Sequence, residues 1–117
     1  MKLRQLSFDP GEIIVEPGQP CVGAFLIEAG KVEVFRKSGD RKVVVAVLGK
    51  GEIFGEMALI DHVPHARYVR SVESTQCLLI SRTQYEAMIE QTPPILKLFL
   101  TRVVRKLRKT TEVTFGK

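Results

Sequence analysis

Between residues 12 and 80, apolar positions recur in short bursts bounded by glycine or proline. Glu12-Ile13-Ile14-Val15 lies between Pro10-Gly11 and Pro17-Gly18, two turn signals that frame a short strand. Ala24 to Glu28 predicts another, closed by a tight turn at Ala29-Gly30. Lys31-Val32-Glu33-Val34-Phe35-Arg36 alternates polar and apolar residues, the period of a strand with one wet face. Ser38-Gly39-Asp40 reads as a hairpin loop. Val43 to Leu48 reads as a buried β-branched strand, and Tyr68 to Val72 and Thr75 to Ile80 as two more. Short strands at this spacing, with no internal repeat, predict a sandwich or jelly-roll barrel.

The period changes after Ile80. Ser81-Arg82-Thr83-Gln84 has the form of a capping box, and Tyr85, Met88 and Ile89 follow at helical spacing. Pro93-Pro94 ends that helix and opens the next, with Thr92 as its expected cap. Leu96, Leu100, Val103 and Leu107 then form an amphipathic stripe. Packing against the strands is the favoured role for this stripe, ahead of a ligand lid or a dimer seam.

A length of 117 residues allows one domain with a modest core. No apolar run approaches the ~20 residues of a membrane span, and Met1 to Gln5 starts no signal-peptide core. A cytoplasmic protein is expected. Cys21 and Cys77 lie far apart beside apolar stretches and are expected as buried free thiols. The net charge of +5 comes largely from Lys97, Arg102, Arg105, Lys106, Arg108, Lys109 and Lys117. Without a DNA- or RNA-binding motif beside them, these read as a solvated helix face, so direct nucleic-acid binding is not expected.

The chemistry concentrates where Gly49, Gly51 and Gly55 interrupt the chain. Gly55 permits a sharp turn and a close approach to a ligand. Glu56 to Ile60 are able to form one helical turn whose first N–H groups suit a phosphate. The Glu56 carboxylate suits hydroxyl donors such as those of a ribose, or else an arginine in a structural ion pair. Asp61, His62 and His65 fall within five residues, a pattern of low specificity from which no metal is expected. No nucleophile–base pair or paired carboxylates stand out, so no enzyme is expected.

These segments together resemble the cyclic-nucleotide-binding domain family, which includes catabolite activator protein and the regulatory subunits of cyclic-AMP-dependent kinase. Phe8-Asp9-Pro10-Gly11-Glu12 with Glu16-Pro17-Gly18 resembles the family's first strand and turn, and Ala24 to Val34 its central hairpin. Phe54-Gly55-Glu56-Met57-Ala58-Leu59-Ile60 resembles the start of its phosphate-binding cassette. Ser81 to Glu90 and Ile95 to Lys109 resemble its last two helices. The resemblance implies a mainly β fold, a double-stranded β-helix (jelly roll) of eight-stranded type closed by two C-terminal α-helices. One domain would cover residues 1–117, with the roll at about 8–81 and helices at about 82–91 and 94–110.

The resemblance also implies a regulatory sensor whose ligand is cAMP or cGMP. Glu56 would take the ribose 2′-hydroxyl, and backbone amides near Gly55, Met57, Ala58 and Ala66 would line the phosphate, beside Phe54. Here the sequence departs from the pattern. His65 follows Pro64 where the family places an arginine, and Tyr68 stands where many relatives carry a small hydroxyl residue near the purine. Exchanging a guanidinium for a mostly neutral imidazole should weaken binding by ~2–3 kcal/mol, with recovery below pH ~6.5 as the ring protonates. Arg67, two residues on, is either a displaced phosphate partner or, the favoured alternative, a rim residue pairing with Asp61 or solvent. The rival function is a degenerate copy that binds no nucleotide and serves as a protein-interaction domain. A homodimer through the C-terminal helix is a further expectation, and no membrane partner is expected.

Overall fold

The computed structural model describes residues 2–115. Two four-stranded antiparallel sheets face each other. The first has the order β1 (Arg4–Phe8), β8 (Thr75–Ser81), β3 (Gly23–Ala29) and β6 (Ile53–Phe54). The second has the order β2 (Ile13–Val15), β7 (Tyr68–Ser71), β4 (Val32–Ser38) and β5 (Arg41–Leu48). Three helices complete the chain: α1 (Glu56–Asp61), α2 (Arg82–Glu90) and α3 (Pro94–Phe115). Among the described residues no helix is long and apolar enough to cross a membrane.

Strand alternation sends Phe25 and Ile27 of β3 into the space between the sheets, where they meet Val15, Val32, Phe54, Val69 and Cys77. Ala24, on the opposite face of β3, enters a smaller cluster with Cys21, Ala58 and Leu59. That second cluster seats α1 on the outside of the roll. Cys21 and Cys77 are buried free thiols. The turn between β3 and β4 needs Gly30: its φ is +96°, and a Cβ there would stand 2.4 Å from the Ser74 carbonyl oxygen.

The roll begins before the expected boundary near residue 8. Arg4 to Phe8 pair in register with Leu79 to Thr75, and only Leu6 and Phe8 of these pack on the core. Five polar-rich residues therefore form an edge strand because a neighbour supplies its hydrogen bonds. The capping box forms as expected, with the Gln84 amide donating to Ser81 Oγ and the Ser81 amide to Gln84 Oε1, both at 3.1 Å. Thr92 does not cap α3. Its hydroxyl donates back to the Ile89 carbonyl at 2.8 Å and closes α2.

α3 corrects a larger expectation. Its stripe does not pack on the strands: Leu96, Val103 and Leu107 are 44%, 39% and 51% exposed, while Val104 is buried. Val104 and Arg108, one turn apart, face inward, and the stripe lies on another side of the helix, roughly 100° around. The helix is held to α1 by charge as much as by apolar contact. Arg108 Nε donates to Asp61 Oδ2, and Arg108 Nη2 donates to Asp61 Oδ1 at 3.1 Å and to the Val63 carbonyl at 3.4 Å.

With side chains 16% and 3% exposed, Arg108 and Asp61 form a buried pair. Burial by itself would raise the Asp61 pKa, but hydrogen bonds from Arg108 and the Val63 amide, with the Arg108 charge, outweigh it and hold the carboxyl below its usual range. Asp61→Ala leaves the guanidinium unpaired and should lower the unfolding free energy by about 3 kcal/mol at pH 7, read by urea titration. The folded pKa lies below the unfolded value of about 3.9, so the pair's contribution is full above that pH and fades as pH falls through the folded value. The gap between wild type and variant should therefore narrow below pH ~4.

Candidate functional site

β6 delivers the chain to the site. Phe54 pairs with Phe25 across the sheet, and their rings stack with centroids 4.9 Å apart. The next residue, Gly55, has φ +81° and starts α1. A side chain there would crowd the Gly23 carbonyl at 3.2 Å and the His65 ring at 3.4 Å, besides straining the backbone. No side-chain cap closes the start of α1, so the Met57 and Ala58 amides of its first turn have no partner within the helix.

The far end of α1 is braced by α2. His62 ends the helix in a left-handed conformation with φ +61°. The Arg82 guanidinium reaches His62 Nδ1 at 2.6 Å and the Ala58 carbonyl at 3.5 Å, and its Nε donates to the Cys21 carbonyl at 3.1 Å. The following loop is tied to the Glu16–Gln19 turn, with the His65 amide donating to the Gln19 carbonyl and the Gly18 amide to the His65 carbonyl. Asp61 pairs with Arg108 and His62 meets Arg82, and among the described residues no group of three or more His, Cys, Asp or Glu is arranged to hold a metal ion.

Between these segments lies a cavity of about 200 Å³. Val15, Val34, Leu48 and Val69 form its apolar floor. Phe54, Gly55, Glu56, Met57 and Ala58 line one side, and His65, Ala66 and Arg67 another. Arg108 of α3 lines it as well. The residues singled out from the sequence therefore converge on one cavity, with the exception of Tyr68.

Tyr68 is a correction. β7 alternates, so Val69 points into the cavity and Tyr68 points away from it. The tyrosine ring stacks on Phe35 with centroids 4.8 Å apart and carries Lys37 Nζ 4.8 Å above it. It cannot crowd a purine from there. Arg67 does not pair with Asp61, which is occupied by Arg108; it is among the residues lining the cavity, and its Nη1 donates to the Ala66 carbonyl at 3.1 Å.

Glu56 enters no salt bridge among the described residues. One of its carboxylate oxygens, Oε2, is buried without a hydrogen-bond partner. Burial pushes its pKa up, against smaller opposing effects of its own backbone N–H and the Arg108 charge. An orphaned buried acceptor is costly, and a ligand hydroxyl is the kind of group that relieves it. His65 moves the other way: burial first, then the charges of Arg108 and Arg82, lower its pKa below the ordinary 6.5. The imidazole is therefore neutral at neutral pH, and its protonation sets in at lower pH than the sequence suggested.

Arg108 is the residue that sequence reasoning missed. It was one of seven cations in the C-terminal segment, and neither spacing nor composition separated it from its neighbours. Only the path of α3 past α1 brings it to the cavity. What this arrangement offers is recognition: an apolar floor, free helix-start amides, an unsatisfied carboxylate oxygen and two guanidinium groups.

The profile of the cyclic nucleotide-binding domain family matches residues 5–92. The chain is 32% identical over 103 residues to the cyclic AMP receptor protein of Thermus thermophilus, covering 87% of this chain and 48% of that protein. It is 43% identical over 63 residues to the cAMP-dependent protein kinase type II regulatory subunit of Drosophila melanogaster, covering 54% of this chain and 17% of that one. It thus spans about half or less of the length of these relatives. Among solved structures, the cAMP-bound form of the EAL enzyme Bd1971 superposes with a TM-score of 0.84 at 26% identity, over 92% of this chain and 29% of that one. The Thermus thermophilus catabolite activator protein gives 0.75 at 30% identity, over 92% of this chain and 51% of that one. In sequence and in fold, this chain belongs to the cyclic nucleotide-binding domain family.

Proposed function

We propose that this domain is a regulatory sensor that binds cAMP or cGMP in the cavity beside α1 and performs no chemistry on it. The observation that carries the reading is Glu56 Oε2, a buried acceptor without a partner on the wall of an otherwise apolar cavity. A ribose hydroxyl donating to it would satisfy the carboxylate. Met57, Ala58 and Ala66 would present backbone amides to the cyclic phosphate, the floor residues would cover the base, and Phe54 and Gly55 would hold the wall. Solved relatives with cAMP and with cGMP bound support the ligand class.

The same reading places the domain in the cytoplasm, without direct nucleic-acid or membrane contact. It pairs with a second copy through α3, which is supported by the exposure of Leu96, Phe99 and Val103 on one helix. A second reading, a degenerate pocket kept for protein interaction, is favoured by His65, whose neutral ring replaces a permanent charge.

Calorimetry with cAMP and cGMP separates these readings. Wild type should bind, Glu56→Gln should bind more weakly, and His65→Arg should bind about 10- to 100-fold more tightly. Binding by His65→Arg alone would establish the degenerate pocket. Absence of heat from both proteins at millimolar ligand would remove nucleotide binding altogether.

Acidification provides an independent check. A protonated His65 is a better phosphate partner, and burial and nearby arginines hold its pKa below the ordinary imidazole range, so wild-type affinity relative to His65→Arg should rise only as pH is lowered past that range. A constant ratio between pH 8 and pH 5 would show that His65 does not touch the phosphate.

A further inference from the structure

The cavity has lost a cassette guanidinium at position 65 but receives another from a different element. Arg108 comes from α3, lines the cavity, and has a side chain only 16% exposed. Its Nε and Nη2 edge is docked on both oxygens of Asp61, with Nη2 also donating to the Val63 carbonyl. Asp61 is itself fixed by the Val63 amide, which donates to Oδ1 at 3.0 Å. Arg108 Nη1 has no partner among the described residues. A guanidinium carries five donors in a rigid plane, so an arginine docked by one edge presents the other in a fixed direction.

The charge on this group is felt across the cavity, by both Glu56 and His65. Glu56, His65 and Arg108 all line this one cavity, so the three groups border the same space. Arg67 is the rival cation, but its Nη1 turns back to the carbonyl of its own neighbour, Ala66. Asp61 holds Arg108 in place, so the group can meet a ligand with little further loss of side-chain freedom.

We propose that Arg108 is this domain's phosphate-binding arginine, supplied by α3 and oriented by Asp61, in place of the cassette arginine that His65 replaces. This rests on the cyclic-nucleotide reading given above. It puts the charged contact to the ligand on the C-terminal helix, while the carboxylate contact stays on α1. Asp61 acts as a positioning residue and does not touch the ligand.

The test is a cycle of calorimetric titrations with cAMP and cGMP on wild type, Arg108→Gln, His65→Arg and the double variant. Thermal melting confirms that each protein is folded. In the wild-type background, Arg108→Gln should weaken binding by about 10- to 100-fold. In the His65→Arg background the loss should be several-fold smaller, because a cyclic phosphate carries one negative charge and a second guanidinium makes the first partly redundant.

Arg108→Lys keeps a cation for Asp61 and guards against a folding artefact. It should fall between wild type and Arg108→Gln, since an ammonium cannot serve Asp61 and a phosphate with two rigid edges. Equal affinity of wild type and Arg108→Gln would overturn the assignment while leaving nucleotide binding intact. An equal loss in both backgrounds would also overturn it, showing that Arg108 acts only by holding α3. If wild type and His65→Arg both fail to bind, the nucleotide reading falls and this assignment with it.

Discussion

The stack of Phe54 on Phe25, with ring centroids 4.9 Å apart, determines where the chain leaves the sheet and turns into α1. β6 is only two residues long, and two paired residues provide little holding power by hydrogen bonds alone. Burying a phenylalanine is worth ~2–3 kcal/mol and stacking adds ~1 kcal/mol. Gly55 follows directly, so the position of that ring sets the position of the helix-start amides and of Glu56. Phe54 also belongs to the cavity wall. The same side chain therefore joins the inter-sheet core to the site, and the core cannot be repacked there without moving the site.

α1 is too short to stand by itself. Its apolar side is held by Ala58 and Leu59 against Cys21 and Ala24. Its C-terminal end is held by two arginines from other helices, Arg82 of α2 and Arg108 of α3. These contacts differ in kind. Arg82 joins carbonyls and a histidine ring, while Arg108 forms a buried ion pair that is sensitive to the loss of either partner. The cavity wall is thus a segment whose geometry depends on both C-terminal helices.

The cavity combines groups that are individually unfavourable. Glu56 has an oxygen without a hydrogen bond, and His65 is pressed toward its neutral form by burial and by nearby arginines. Such groups persist where a partner is expected from outside, because a ligand that satisfies them recovers what folding left unmet. The outer face of the second sheet contrasts with this. There Glu33 is paired with Lys42 and Arg70, and Tyr68 stacks on Phe35, so the Glu33 carboxylate, unlike that of Glu56, has its partners within the chain.

Much was legible in the residues themselves. The strands from Ile13 onward other than the two-residue β6, the capping box at Ser81 and the turn at Gly55 follow from local patterns, because period, capping chemistry and positive φ are properties of a few neighbouring residues. The convergence of residues 54–58 and 65–67 was legible through the family pattern. Tertiary structure alone decided the rest. β1 is a strand because β8 pairs with it, and Tyr68 faces outward because the register of β7 puts Val69 inside. The stripe of α3 is exposed because Val104 and Arg108 take the inward side. Arg108 joins the cavity only because α3 crosses α1 at Asp61, a meeting of residues 47 apart in the chain. Local sequence determines which elements form and what they carry, but which charge meets which cavity depends on contacts between distant segments, and those exist only once the chain has folded.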